Sequence, residues 1–215
     1  MKIKTAFITL LFLAAMAGSQ VKAQSVDYNI LCALQQSRTP TLDRMMVWTS
    51  NSLVLAPSVP AGLLIGGLIS DNQTLVCIGT ATGISFLTAA VVTEAVKFAV
   101  HRPRPYITYT DDLVPVKTTV GYSFPSGHTS LTFAVATSLS LSSKKWYVAT
   151  PSMLWAAGVA FSRLYLGVHY PSDVLTGMTV GILSGFAGYW LSREICDDAG
   201  IPPAKMLTPP IVLKF

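Results

Sequence analysis

Charge is scarce in this chain. Asp, Glu, Lys and Arg make up 12% of 215 residues, hydrophobic residues make up 51%, and mean hydropathy is +0.52. A soluble domain carries about twice that share of charge, so the composition points to a small integral membrane protein with one core. Cysteine is scarcer still. Cys32, Cys77 and Cys196 are odd in number and lack metal-ligand spacing. With Cys32 expected on the outer side and the other two toward the inner side, no disulfide framework is expected and all three read as packing residues. The basic excess is small once Lys2, Lys4 and Lys22 are assigned to an amino-terminal targeting region, leaving 12 basic against 10 acidic residues. No basic run interleaved with aromatics remains to suggest nucleic acid. Internal repeats, low-complexity tracts and a second domain are also missing.

What the chain has in quantity is apolar sequence. Met1–Lys4, the uncharged run Thr5–Val21 and the small residue before Gln24 predict a signal peptide over residues 1–23, or an uncleaved first membrane helix. Residues 24–215 then form one membrane domain. Tyr28–Leu34 has a helical apolar rhythm and reads as an interfacial helix, followed by a turn at Arg38–Arg44. Five runs follow: Met45–Ser70 with Pro57 and Pro60, Asn72–Thr93 continuing to Val100, Thr118–Ser143 with its membrane part from Ser126, Trp146–Ser162 extending to Tyr165, and Val174–Ser192. About 20 residues cross the hydrocarbon layer. The fold class is therefore all-α, an integral membrane bundle of five to six helices.

Counting crossings from an outer residue 24 puts the 101–125 connection and the 163–173 loop outside, and Lys144-Lys145 inside. The lysine pair obeys the positive-inside rule. The cations Lys97, Arg102, Arg104 and Arg163 are left on the outer face against that rule, which suggests that they have work there.

Three stretches carry candidate chemistry. In Lys97-Phe-Ala-Val-His101-Arg102-Pro103-Arg104-Pro105, two prolines stiffen the chain and fix where Arg104 points. An ammonium with a guanidinium fork suits a phosphate dianion, though basic residues beside lipid headgroups would look the same. Pro125-Ser126-Gly127-His128 sets up a helix amino terminus whose free amides bind anions, with His128 placed for proton transfer. Taken alone it is also an ordinary helix start. Ser162-Arg163, His169 and Asp173 combine a cation, an imidazole and a carboxylate that can hold the ring in one tautomer. The plain alternative there is a juxtamembrane loop with snorkelling side chains.

Together, Lys-x6-Arg-Pro at 97–105, Pro-Ser-Gly-His at 125–128 and Ser-Arg-x5-His-x3-Asp at 162–173 resemble, in order and spacing, the three-part signature of the type 2 phosphatidic acid phosphatase superfamily. That superfamily includes class A acid phosphatases and vanadium haloperoxidases. The resemblance implies an all-α bundle and hydrolysis of a phosphomonoester or pyrophosphate through a phosphohistidine, without metal or cofactor. It further implies His169 as nucleophile, Asp173 as its orienting partner and His128 as proton donor. Lys97, Arg104, Ser126, Gly127 and Arg163 would bind the phosphoryl group. His101 and Arg102 lie outside the signature and read as solvated, the alternative being a second phosphate or headgroup contact.

The apolar runs favour a membrane lipid phosphatase facing the periplasm of a bacterial inner membrane. The substrates considered are lipid A at its 1- or 4′-phosphate, undecaprenyl pyrophosphate, phosphatidylglycerol phosphate and phosphatidic acid, the first two suiting a periplasmic site best. The rivals are a secreted acid phosphatase, a vanadate haloperoxidase-like enzyme and a non-catalytic anion-binding or transport protein. Oligomeric state is not encoded in any feature of the sequence.

Overall fold

The structure is a computed structural model that describes the backbone of residues 20–198 and the side chains of residues 26–196. Most of the expected leader, residues 1–19, lies outside the described residues. Every regular element among the described residues is helical, as expected: α1 (Gln20–Gln36), α2 (Pro40–Asn51), a 3₁₀ turn (Ser52–Val54), α3 (Leu55–Ile69), α4 (Gln73–Val100), α5 (Pro105–Thr108), α6 (Gly127–Ser143), α7 (Trp146–Tyr165) and α8 (Pro171–Asp198).

Each of the five apolar runs carries a helix, the Thr118–Ser143 run only from Gly127 onward. By length and composition, three stretches can cross a membrane: Pro40–Ile69, Gln73–Thr108 and Pro171–Cys196. The other two of the five expected spans, α6 and α7, do not meet that measure. At 17 residues, α6 is about 26 Å long and rich in Ser and Thr, with most of its first three turns buried among its neighbours. The two prolines are expected to kink the first run without stopping it; the α-helix is interrupted earlier, at the 3₁₀ turn, and Pro60 is carried inside α3.

The centre of the bundle is α4, α6 and α8, with α3 against α4, α7 against α6, and α2 against α7. Helices α6 and α8 run parallel, because Gly177, Gly181 and Gly185 face Ser126, Ser130 and Thr137 in step. A Cβ at Gly181 would sit 2.5 Å from the Ser130 carbonyl oxygen. Small residues four apart let the two backbones approach this closely.

Helix α4 runs antiparallel to α8, which brings Cys77 near the start of one against Cys196 near the end of the other. The two form a disulfide with their Cα atoms 6.3 Å apart, within normal bridging range. This corrects the expectation that all three cysteines only pack. The pairing depends on which helices touch and in which direction, and no spacing in the sequence encodes that. Cys32 is unpaired and half-buried.

At the other end of the bundle the C-termini of α4 and α7 meet the N-termini of α6 and α8. Helix α1 lies across this end. Its Leu31 is buried against Leu113 and Tyr170, so it is a packed element and more than the surface helix expected at Tyr28–Leu34. Polar contacts clamp it to the 101–125 connection: Tyr28 donates to Asp112 at 3.0 Å, and Gln35 bonds the carbonyl of Asp112 at 2.7 Å and the N–H of Val114 at 2.8 Å.

Candidate active site

Arg104 follows the αL residue His101 that ends α4, and immediately precedes Pro105 at the start of α5. It is buried, and a buried guanidinium is costly unless its donors are satisfied. Three backbone carbonyls do this: Nε donates to Gly121 at 2.9 Å, Nη2 to Val120 at 3.0 Å and Nη1 to Val168 at 2.9 Å. Gly121 has φ +82°, a left-handed conformation that glycine adopts without strain. With the guanidinium pinned in this way, Nη1 also lies 3.2 Å from Nε2 of His169.

Arginine has only donors, so Nε2 of His169 must present its lone pair and the ring proton must sit on Nδ1. Nδ1 faces Oδ2 of Asp173 at 3.4 Å, one helical turn along the sequence. Asp173 is fully buried, and Oδ2 also accepts from the Tyr170 N–H at 2.9 Å and from the Ser123 hydroxyl. Burial pulls the His169 imidazolium down to about 4, against the opposing pull of Asp173, and the charges of Arg163 and Arg104 push the same way as burial. The ring is therefore neutral at pH 7.

The start of α6 is fixed to the start of α8. The Ser126 N–H donates to the carbonyl of Asp173 at 3.0 Å, and Gly177 leaves room for the Ser126 carbonyl against α8. The side chain of Ser126 does not cap its helix but accepts from Thr129 at 3.0 Å. The first intrahelical bond runs from Ser130 to Ser126, so the amides of Gly127 and His128 precede it and are available to an anion. A Cβ on Gly127 would lie 3.4 Å from Nζ of Lys97, which brings that ammonium to the helix start. Lys97 is paired with Glu94 at 2.9 Å. Arg163, in the last turn of α7, is buried; its Nη1 donates to the Ser50 hydroxyl of α2 and its Nε has no hydrogen-bond partner. His128 is half-buried and within electrostatic reach of Arg163, His169, Lys97 and Arg104.

All eight residues singled out from the sequence thus gather at one end of the bundle. Among the described residues no group of three or more His, Cys, Asp or Glu is placed to hold a metal. Four further residues belong to the same constellation: Arg102, Asp27, Ser123 and Ser50. Arg102 corrects its reading as a solvated cation, because its guanidinium bonds Asp173 and Asp27 and stacks on Tyr170. Asp27 did leave a signal, being the one charged residue between Lys22 and Arg38. Ser50 and Ser123 left none.

A helical membrane bundle with two buried guanidiniums, a helix amino terminus and an imidazole backed by a carboxylate defines a class of anion-handling membrane protein. The chain belongs to the PAP2 superfamily, whose family model matches residues 75–195, more than half of its length. It is similar to the undecaprenyl-diphosphatase of Sulfolobus acidocaldarius (37% identical over 48% of this chain and 50% of that one). It is also similar to undecaprenyl-diphosphatase BcrC of Bacillus subtilis (27% identical over 75% of this chain and 81% of that one). The lipid A 4′-phosphatase of Bacteroides thetaiotaomicron is 33% identical over 35% of this chain and 33% of its own. The chain thus spans half or less of two of these relatives and four-fifths of the third. Among solved structures, a transmembrane PAP2 type phosphatidylglycerolphosphate phosphatase from Bacillus subtilis superposes with a TM-score of 0.64 at 27% identity, covering 89% of this chain and 96% of that one. The chain is an integral membrane protein of this family, and these relatives are phosphatases.

Proposed function

We propose that this protein removes phosphate from a lipid phosphate, using His169 as nucleophile and no metal. The observation that carries the reading is the line Arg104–His169–Asp173. One ring nitrogen offers its lone pair beside a buried cation, and the other faces a buried carboxylate. Nε2 attacks phosphorus, and Arg104, Arg163, Lys97, Ser126 and the Gly127 amide take the charge on the phosphoryl oxygens. His128 gives a proton to the leaving oxygen, then takes one from the water that cleaves the phosphohistidine. Asp173 supports the charge that builds on the ring.

The substrate class is an undecaprenyl diphosphate or a lipid A phosphate, supported by the names of the relatives, with phosphatidylglycerol phosphate and phosphatidic acid as further members. The site faces the periplasm of a bacterial inner membrane, a placement supported by Lys144 and Lys145 at the far end of α6. Residues 24–215 act as one catalytic domain, following a leader over 1–23.

The test is phosphate release by the purified protein in detergent from a panel of these four lipids, with and without EDTA. Wild-type activity that survives EDTA, an alkali-stable phosphoenzyme, and loss of both in His169→Ala are expected. Activity retained by His169→Ala, or activity lost to EDTA and restored by Mg²⁺, overturns the reading.

A further inference from the structure

Asp173 has two carboxylate oxygens, and the proposed reaction uses only the one facing His169. The other, Oδ1, accepts from Nη1 of Arg102 at 2.7 Å. The same nitrogen bonds the Ser172 hydroxyl at 2.7 Å, and Nη2 reaches Oδ2 of Asp27 at 3.1 Å. Asp27, 4% exposed, comes from α1 and also accepts from the Ser172 N–H at 3.0 Å and from its hydroxyl. It therefore caps the start of α8 from a distant helix. The guanidinium carbon of Arg102 sits 3.8 Å from the centre of the Tyr170 ring. One fork thus spans two buried carboxylates while its face is covered by an aromatic ring, an arrangement for which lysine has neither the planarity nor the donors. The Arg102 carbonyl meanwhile accepts from the Ser123 N–H at 2.8 Å, and the Ser123 hydroxyl bonds Oδ2 of Asp173. Each bond to the Asp173 carboxylate is therefore tied, directly or through one neighbour, to Arg102 or to the first turn of α8.

From this we infer that Arg102, itself held by Asp27, is a positioning residue for the reaction at His169. It keeps the buried Asp173 carboxylate turned with Oδ2 toward the ring, so that α1 becomes part of the catalytic unit. The inference rests on the reading of His169 as nucleophile. It makes Arg102 different in kind from its neighbour Arg104, two residues away. Arg104 faces the ring nitrogen where phosphate would bind, whereas both terminal nitrogens of Arg102 are engaged by protein. It also extends the working site beyond the family-matched residues 75–195 to a helix that precedes them.

The experiment measures kcat and KM of wild type, Arg102→Ala, Arg102→Lys, Asp27→Asn and His169→Ala in detergent, on the best substrate of the four-lipid panel. A misplaced orienting carboxylate costs about 100-fold in rate. Arg102→Ala is expected to lose about that factor in kcat with KM within about twofold. Arg102→Lys should fall between it and wild type, and Asp27→Asn should lose about tenfold in kcat. Free guanidinium at millimolar concentration should restore part of the Arg102→Ala rate, which a purely structural defect would not allow. Unchanged kcat in both Arg102→Ala and Asp27→Asn overturns the inference. So does a raised KM with kcat kept, which would mean that Arg102 touches substrate. Should Arg102→Ala fail to elute as a single species from gel filtration, Arg102→Lys and Asp27→Asn decide by the same criteria. Wild type active with His169→Ala also active removes the underlying nucleophile. Wild type active, His169→Ala inactive and Arg102→Ala normal removes this inference alone.

Discussion

Nη1 of Arg104 and Nε2 of His169 lie 3.2 Å apart, so the cation that would clamp a phosphoryl group rests on the lone pair that would attack it. The three carbonyls around Arg104 hold it there. An arriving anion has only to take over the Nη1 bond, which frees the lone pair where phosphorus is to sit. Arg104→Lys keeps the charge but cannot serve three carbonyls and a ring nitrogen from one point. A loss of about 100-fold or more in kcat/KM is expected for it, measured as phosphate release in detergent. A loss below about threefold would mean that charge alone matters and the fork does not.

The pH dependence follows from the burial of His169. Its pKa in the folded protein, about 4, lies below the ordinary value of 6.5. The ring stays neutral and nucleophilic down to about pH 4, and activity requiring that form is lost only as pH falls through the depressed value. The acid limb of kcat/KM, corrected for the substrate phosphate's own ionisation near about 6, should lie well below 6. The stability sign runs the same way. An unfolded chain takes up this proton from about 6.5 downward while the native one resists. The contribution is thus intact above 6.5 and is lost as pH falls from there to about 4. A corrected limb at 6.5 or above would contradict the buried, neutral ring.

How far the site was legible in the sequence depends on how each contact is made. Lys97, Arg104, Ser126, His128, Arg163, His169 and Asp173 sit at the ends of apolar runs, and counting crossings puts those ends on one face. Arg102 and Arg104 are the same residue type two positions apart, and only the fold shows that one faces the ring nitrogen while the other spans two carboxylates. Asp27 and Ser50 act across 75 and 113 positions, Asp27 through Arg102 and Ser50 through Arg163, and such partners leave no periodicity. Gly177, Gly181 and Gly185 were different. They stand four apart in the sequence, a spacing that suits a close helix contact but was not used in reading the sequence, and nothing in it says that α6 is the partner.

Ser50 offers a test from outside the family-matched residues. Its hydroxyl accepts from Nη1 of Arg163, whose Nε already lacks a partner. Ser50→Ala would leave a second donor of a buried cation unsatisfied, at a cost of about 1–3 kcal/mol. The guanidinium is then expected to turn away from the site, raising KM about tenfold or more with a smaller change in kcat. Steady-state kinetics of Ser50→Ala beside Ser50→Thr, which keeps the hydroxyl, separate the lost bond from lost packing. Equal effects from the two would assign Ser50 to packing.

The contact between α6 and α8 positions the anion-binding helix start, and it depends on absent side chains. A Cβ at Gly181 would come within 2.5 Å of the Ser130 carbonyl oxygen and 2.7 Å of the Phe133 Cβ, so two backbones would have to part. Gly62 in α3 has nothing within 4 Å and serves as the control. Over-packing of this kind costs about 1–3 kcal/mol, so Gly181→Ala should lower the apparent Tm in detergent by roughly 5 °C, with Gly62→Ala unchanged or slightly higher. Separation at Gly181 also pulls on Ser126, one turn up the same face at Gly177. The kcat/KM of Gly181→Ala should therefore fall even at temperatures where the protein remains folded. Melting and activity both like wild type would mean that the helices do not meet at this level and that the start of α6 is held in place by other contacts.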